Sequence, residues 1–417
     1  MGKASIITIG NEILTGHTVN TNAAYLAERM LSAGISTVSS HTTADEADSI
    51  VRALRQGTEE ADIVIVTGGL GPTSDDVTRE ALAEFLGVEL EFSQELLEEI
   101  EGFFSRRSLQ MPVNNKQQAY LPAETEVIKN SLGTAPGIKA AFEGRCIFSL
   151  PGVPGEMKKM FEESVLPAIK KIAANTKEGV TVVKKLHCFG AGESTIAEKI
   201  SDFCGRDRNP LINFTADYGI ITLHITASAG SINKAEQMAG ADMKAMKDKL
   251  GELVFGEDGQ SLAEVVGQML REKNKTIAIA ESCTAGVLAG LLTEIAGASD
   301  YFNYGWITYS DEAKVSQLDV PAELIDKYGA VSCQVASAMA KGARRKAKSD
   351  IAVAITGIAG PGGATEQKSV GLVYISVDTT ADNNVREFVF PGERAAVRLR
   401  AAHTALNLVR LVILKFD

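Results

Sequence analysis

Short apolar runs recur along this chain. Each breaks into a turn rich in glycine, serine or threonine and resumes as a helical pattern, and this constrains the fold more than any other feature. Ser5-Ile-Ile-Thr-Ile9 gives way to Gly10-Asn-Glu-Ile-Leu-Thr-Gly16, and Ala61-Asp-Ile-Val-Ile-Val66 to Thr67-Gly-Gly-Leu-Gly-Pro-Thr-Ser-Asp-Asp76. Cys146-Ile-Phe-Ser-Leu150 precedes Pro151-Gly-Val-Pro-Gly-Glu156. Later, Thr276-Ile-Ala-Ile-Ala280 meets Glu281-Ser-Cys-Thr-Ala-Gly286, and Ile351-Ala-Val-Ala-Ile-Thr356 meets Gly357-Ile-Ala-Gly-Pro-Gly-Gly363. Such alternation predicts parallel sheets covered by helices. In those sheets ligands gather beyond the carboxyl ends of the strands, where all these turns would lie.

A chain of 417 residues is too long for one core, so two or three domains are expected. Polar breaks at Ala173–Val180 and Gly256–Gln260 suggest segments 1–172, 176–253 and 258–417. The middle one reads as a small α+β module, with strands at Val180–Leu186 and Ile220–Thr226 and helices at Glu193–Ile200 and Asn233–Ala239. A hydrophobic content of 45% and a charged content of 23% are those of a soluble globular protein. The net charge of −11 argues against a nucleic-acid surface, which needs clustered Lys and Arg, while leaving room for a small basic pocket. The first apolar run is too short for a membrane span and lacks the layout of a signal peptide. Cys146, Cys188, Cys204, Cys283 and Cys333 show no CxxC spacing, as expected of reduced thiols in a cytoplasm. The dispersed histidines, with no HExxH, argue against a histidine metal centre.

In the first segment, the glycines of Thr67-Gly68-Gly69-Leu70-Gly71-Pro72-Thr73 let backbone N–H groups turn toward one point, which suits a phosphate or another anion. No Gly-Lys-Ser/Thr ending follows, so this is not a Walker loop. Asp75 and Asp76 come next, and two acids beside a phosphate cradle point to a bridging divalent cation. The plainer reading is a tight turn whose aspartates cap a helix. Asn11 and Glu12, then Asn20 and Asn22, then Pro151 and Gly152 would share the same rim.

In the last segment, Ser282 and Cys283 offer a hydroxyl and a thiol side by side where a strand turns into the helical run Val287–Leu292. Unpaired N–H groups gather at a helix start, which favours an attacking group. On local sequence alone a serine helix cap is the plainer reading. Tyr304–Lys314 and Ile351–Gly363 bring further polar groups to strand ends. If the strands are neighbours, Ser282, Tyr309, Lys314 and Thr356 face one cleft. A serine needs a base, and the only histidine of this segment, His403, falls in a late helix. A lysine serves if its pKa is lowered from about 10.4 toward roughly 7 to 8. By composition alone Lys314 reads as a solvated helix lysine.

Together these motifs resemble the CinA family, and the chain as a whole is expected to be an α/β multidomain protein. Residues 4 to about 170 resemble its molybdopterin-binding-like parallel-sheet domain, with TGGLGPTSDD the most specific part. The resemblance implies a nucleotide site at Asn11, Glu12, Asn20, Thr67, Gly68, Gly69, Gly71, Pro72, Thr73, Pro151 and Gly152. It also implies Asp45, Asp75 and Asp76 as ligands of a divalent metal ion, and hydrolysis of the pyrophosphate of ADP-ribose, which some members carry out and others lack. Asn11 stands where many relatives have an acid. Residues 176–253 resemble the family's KH-like linker domain. KH turns often bind RNA, but Phe189-Gly-Ala-Gly-Glu-Ser-Thr195 carries Glu193 and no Lys or Arg, so a structural or dimer-forming role is expected.

Residues 258 to about 415 are similar to the family's C-terminal α/β nicotinamide-nucleotide amidohydrolase domain. This implies release of ammonia from the carboxamide of nicotinamide mononucleotide, with Ser282 as nucleophile, Lys314 as general base, and Tyr309 and Thr356 assisting. Glu281, Cys283, Thr284 and Gly286 would surround the substrate. Gly357, Ala359, Gly360, Pro361, Gly362 and Gly363 would cradle its 5′-phosphate. N–H groups of the Cys283–Gly286 turn would hold the oxyanion, at roughly 3–4 kcal/mol per donor, and Cys283 would point into the core. The amidase needs no cofactor on this reading. Its partners are small-molecule nucleotides, nicotinamide mononucleotide and ADP-ribose, with no nucleic acid and no membrane, and a homodimer is implied. Two alternatives stay open, a molybdopterin-binding protein and a non-catalytic adaptor in DNA uptake or repair. Fold analogy supports the first only weakly. Polar clusters at strand ends fit catalysis better than the flat surface of the second.

Overall fold

The computed structural model describes residues 2–174 and 180–416; residues 175–179 of the expected polar break lie outside them. The chain forms two compact units, Met1–Val183 with Thr226–Ala239, and Lys184–Ile225 with Gly240–Asp417. Among the described residues, no helix is long and apolar enough to cross a membrane.

The N-terminal strands are β1 (Lys3–Ile9), β2 (Ser36–Thr43), β3 (Ile63–Thr67), β4 (Leu90–Phe92), β5 (Tyr120–Pro122), β6 (Glu126–Ile128), β7 (Gly137–Phe142) and β8 (Arg145–Leu150). Six of them form a sheet in the order β2-β1-β3-β8-β7-β6. The first four run parallel, and β7 and β6 add an antiparallel margin. Every residue of β3 is buried, as a strand covered on both faces requires. Alternate residues feed two cores. Ile7, Val64 and Val66 pack with Ile50 and Leu54 on one face, and Ile6, Ile63 and Ile65 with Leu26, Met30 and Phe161 on the other. Because β1, β3 and β8 are parallel neighbours, the turns after Ile9, Thr67 and Leu150 share one rim, as expected.

The middle sheet comprises β9 (Val180–Phe189), β10 (Leu211–Asp217), β11 (Ile220–Ala229) and β12 (Val254–Glu257), in the order β10-β11-β9-β12. Gly256 and Glu257, expected in a break, pair with β9 instead. Strand β10 escaped the sequence reading because it is an edge strand with a single buried residue, Ile212.

The C-terminal sheet contains β13 (Ile277–Glu281), β14 (Phe302–Ile307), β15 (Ile351–Gly357), β16 (Leu372–Thr379) and β17 (Asn383–Val389), in the order β14-β13-β15-β16-β17. Strand β13 lies parallel between β14 and β15, and β16 and β17 return antiparallel. The Ile-Ala alternation of β13 and β15 divides two faces. Ile277, Ile279, Ile351, Val353 and Ile355 pack with the long helix Arg394–Ile413. Ala278, Ala280, Ala352 and Ala354 face the helix Cys333–Ala347.

Candidate active site

Register places the C-terminal polar residues side by side. Glu281 pairs with Ile307 on one flank and Ile355 on the other. Ser282, Thr308 and Thr356 therefore follow at one level across three strands, with about 5 Å between neighbouring strands. The Ser282 N–H donates to Ile355 O at 2.9 Å, and the Thr308 N–H to Glu281 O at 2.9 Å.

The helix after β13 begins only at Val287, with Gly286 as its cap and no side-chain capping bond from Ser282. This corrects the serine-cap expectation. Glu281 does that work. Its buried carboxylate accepts from the N–H groups of Gly286 at 3.1 Å, Leu288 at 3.2 Å and Ala289 at 2.9 Å. A carboxylate there satisfies donors that would otherwise be orphaned and sits at the positive end of the helix. Both oxygens of Glu281 are thus engaged within the protein. The oxyanion expectation narrows as well, because the Gly286 N–H is taken by Glu281 and the Ala285 N–H donates to Ser282 O at 3.2 Å. Only the Cys283 and Thr284 amides remain, and both face the Cys283 sulfur.

Ser282 is 7% exposed, and its hydroxyl makes no hydrogen bond among the described residues. Cys283 lies in the hydrophobic core, and burial pushes its thiol up to about 12. Thr284 is buried, and its carbonyl accepts two bonds from Arg398, at 2.7 and 3.2 Å. Among the described residues, the buried hydroxyls of Thr284 and Thr308 have no partner, an uncommon state for interior polar groups.

Lys314, in the helix Asp311–Leu318, is 1% exposed, which overturns the solvated-lysine expectation. Burial lowers its pKa, and Asp311 opposes that shift. Its ammonium donates to the carbonyls of Thr308, Tyr309 and Ser310. No hydrogen bond joins it to Ser282 among the described residues. Thr356 is buried and donates to Ala330 O at 2.9 Å. Tyr309 is exposed, and its hydroxyl accepts from Arg394 at 2.9 Å. Arg394 also donates to Gly360 O at 2.8 Å. In that loop Ala359 and Gly360 are buried, Gly357 is half-buried, and Pro361, Gly362 and Gly363 are exposed. The sequence reading missed Arg394 and Arg398, although their i, i+4 spacing in the last helix places them on one face.

On the N-terminal rim, the glycine loop is held from inside. At Gly68 (φ 115°) a Cβ would stand 2.3 Å from Ile9 O, so only glycine lets β1 and the loop approach so closely. Thr67 is buried and donates to Pro151 O at 2.9 Å, while Asn22 donates to Thr67 Oγ1 and Gly152 O. Asn20 caps its helix through the Ala23 N–H. Arg79, unremarked in the sequence reading, is a buried guanidinium donating to the carbonyls of Leu70, Gly71 and Asp76. Gln117 and Gln118 donate to Thr73 O and Leu70 O. Their polar side chains in an otherwise unpatterned stretch were the only signal available.

Asn11 and Glu12 are exposed at this rim, and the Asn11 N–H donates to Asp45 at 2.7 Å. The Asp45 carboxyl is pushed up, first by burial, and the charges of Glu12, Asp75 and Asp76 add to that rise. Asp45 therefore sits within the field of the other three acids. Asp75 is held below the usual range, chiefly by the Thr73 hydroxyl, and Asp76 accepts the Thr73 N–H and hydroxyl. Among the described residues, no group of three His, Cys, Asp or Glu side chains is arranged to hold a metal ion. Asp45, Asp75 and Asp76 do not fit a preformed metal site.

Comparison with known proteins accounts for this layout. Residues 5–171 match the model described as a probable molybdopterin binding domain, 183–256 the damage-inducible protein CinA KH domain, and 259–413 the CinA C-terminal domain. The chain is 40% identical over 413 residues to a putative competence-damage inducible protein of Caldicellulosiruptor bescii, covering 99% of this chain and 100% of that one. It is 42% identical over 413 residues, with the same coverage, to a protein of the same description from Alkaliphilus metalliredigens. Among solved structures, a CinA protein of unknown function from Thermoplasma acidophilum is 35% identical, with a TM-score of 0.37, covering 41% of this chain and 97% of that one. The chain is an α/β multidomain protein with a molybdopterin-binding-like domain, a KH-like domain and a CinA C-terminal domain, and it belongs to the CinA, or competence-damage inducible, family.

Proposed function

We propose that the C-terminal domain hydrolyses the carboxamide of nicotinamide mononucleotide to nicotinic acid mononucleotide and ammonia. One observation carries the reading. A serine with an uncommitted hydroxyl follows strand β13, and a buried lysine lies just beyond its neighbour β14. Ser282 Oγ attacks the amide carbon while the neutral Lys314 amine takes its proton. Lys314 then gives that proton to the departing ammonia, leaving an ester on Ser282. Water hydrolyses the ester, with Lys314 again accepting a proton. Cys283 is not the nucleophile, because its thiol is buried and stays protonated.

The test is ammonia release from nicotinamide mononucleotide by purified protein. Ser282→Ala should lose at least a thousandfold in kcat, on the order of what removing an essential nucleophile costs. Cys283→Ala should stay within about tenfold of wild type, since it removes only a packing atom. Activity that survives in the serine variant and disappears in the cysteine variant would reverse the assignment.

The acids Asp45, Asp75 and Asp76 beside the glycine loop favour a second activity in the N-terminal domain, hydrolysis of the pyrophosphate of ADP-ribose. A divalent ion would arrive with the diphosphate, since the side chains offer no closed shell for it. Formation of AMP from ADP-ribose only with added magnesium or manganese supports this. No AMP under either condition rejects it.

A further inference from the structure

Lys314 sits in a ring of oxygen. Its ε-nitrogen lies 3.0 Å from Thr308 O, 3.2 Å from Tyr309 O and 3.4 Å from Ser310 O. Asp311 Oδ1 stands 3.7 Å away. Four acceptors around one nitrogen suit an ammonium with three protons. A neutral amine there would turn a lone pair toward carbonyl oxygens, which repel it.

The other titratable group acting on Lys314 is the Cys283 thiol, on the turn after β13. The cations of the neighbouring helix Cys333–Ala347 are engaged elsewhere, Arg344 with Asp378 and Arg345 and Lys346 with Asp319, while Lys341 is exposed. Among the described residues, Asp311 is therefore the one full negative charge in the ring. Its side chain is 61% exposed, so it also connects the ring to solvent.

We propose that Asp311 is a positioning residue which, with the carbonyls of Thr308, Tyr309 and Ser310, parks Lys314 as an ammonium in the resting protein, off the Ser282 hydroxyl. Activation begins when the ammonium gives one proton to water beside Asp311. The resulting amine loses its fit to the ring and turns to the serine, whose O–H proton it then accepts. This rests on the serine–lysine reading above and accounts for the missing bond between the two side chains.

The experiment uses the full chain as wild type, Asp311→Asn and Asp311→Glu. It measures kcat/KM for nicotinamide mononucleotide from roughly pH 6 to 10, a range chosen to span the ionisation of a lysine base. Removing the negative charge disfavours the ammonium. The acid limb of D311N should therefore move to lower pH, with kcat/KM on that limb rising roughly threefold, a modest effect because the carboxylate is partly screened by solvent. D311E should return the limb toward wild type. An acid limb that stays in place, or moves to higher pH, in D311N overturns the proposal. If wild-type protein releases no ammonia at any pH, the amidase reading has failed by itself. The pH dependence of acetic anhydride labelling at Lys314, read by mass spectrometry, then decides about Asp311. Labelling that begins at lower pH in D311N supports the ring, and unchanged labelling overturns it.

Discussion

Ser282 and Cys283 are adjacent in sequence and opposite in chemistry. Cys283 belongs to the same hydrophobic core as Leu288, Ile355 and Val373, and with its thiol pushed up to about 12 by burial it has almost no thiolate at neutral pH. Cys333 is exposed at the start of a helix. Brief iodoacetamide treatment at about pH 8, near the ordinary thiol pKa, should therefore alkylate Cys333 and leave Cys283 intact, as peptide mass spectrometry would show. Alkylation of Cys283 ahead of Cys333 would contradict the burial assigned here. At this scale the sequence was informative about residue type and silent about partners. Nothing in Ser310-Asp-Glu-Ala-Lys314 distinguishes a lysine pointing at water from one curled back onto the carbonyls of its own turn. Glu281 likewise reads as the end of a strand, and its bonds to three amides depend on how tightly the chain reverses after it.

At the scale of elements, the helix carrying Lys314 is fixed by close packing against the helix Cys333–Ala347. A Cβ at Gly342 would lie 1.9 Å from the Leu318 carbonyl oxygen, so the two backbones nearly touch at that point. Gly342→Ala must push the Asp311–Leu318 helix outward. The expected cost is about 1–3 kcal/mol of stability, read by denaturant titration, with a fall in kcat as Lys314 shifts. Unchanged stability would mean that the helices separate freely. The elements themselves were legible, because short apolar runs such as Ile63–Val66 and Ile351–Ile355, bounded by glycine-rich turns, suit strands covered on both faces. The antiparallel strands β6, β7, β16 and β17 were not foreseen. The edge strands β6 and β17 have half-exposed faces, as in Glu126-Val-Ile128 and Asn383–Val389, and carry little apolar pattern.

For the whole molecule, the motifs fall into two groups on separate sheets. Each is built from the carboxyl ends of parallel strands of its own sheet. The activities should therefore separate. Ser282→Ala should abolish ammonia release and leave any formation of AMP from ADP-ribose unchanged. EDTA should suppress AMP formation and leave ammonia release intact. Loss of both activities in either experiment would contradict two independent sites. The three-part layout was readable from the two polar breaks and from the family resemblance of each segment. The exact strand content of the middle sheet was not, since β12 ends inside what composition presents as a linker.

The Glu281 carboxylate has a consequence for how this turn meets the dissolved ions of a cell. A nascent helix end normally invites whatever small anion drifts past, and an invited guest would crowd the serine beside it. Here the seat is already taken by a tethered acid that cannot diffuse away. The hydroxyl can stand open at the strand's end without sulfate or phosphate settling next to it.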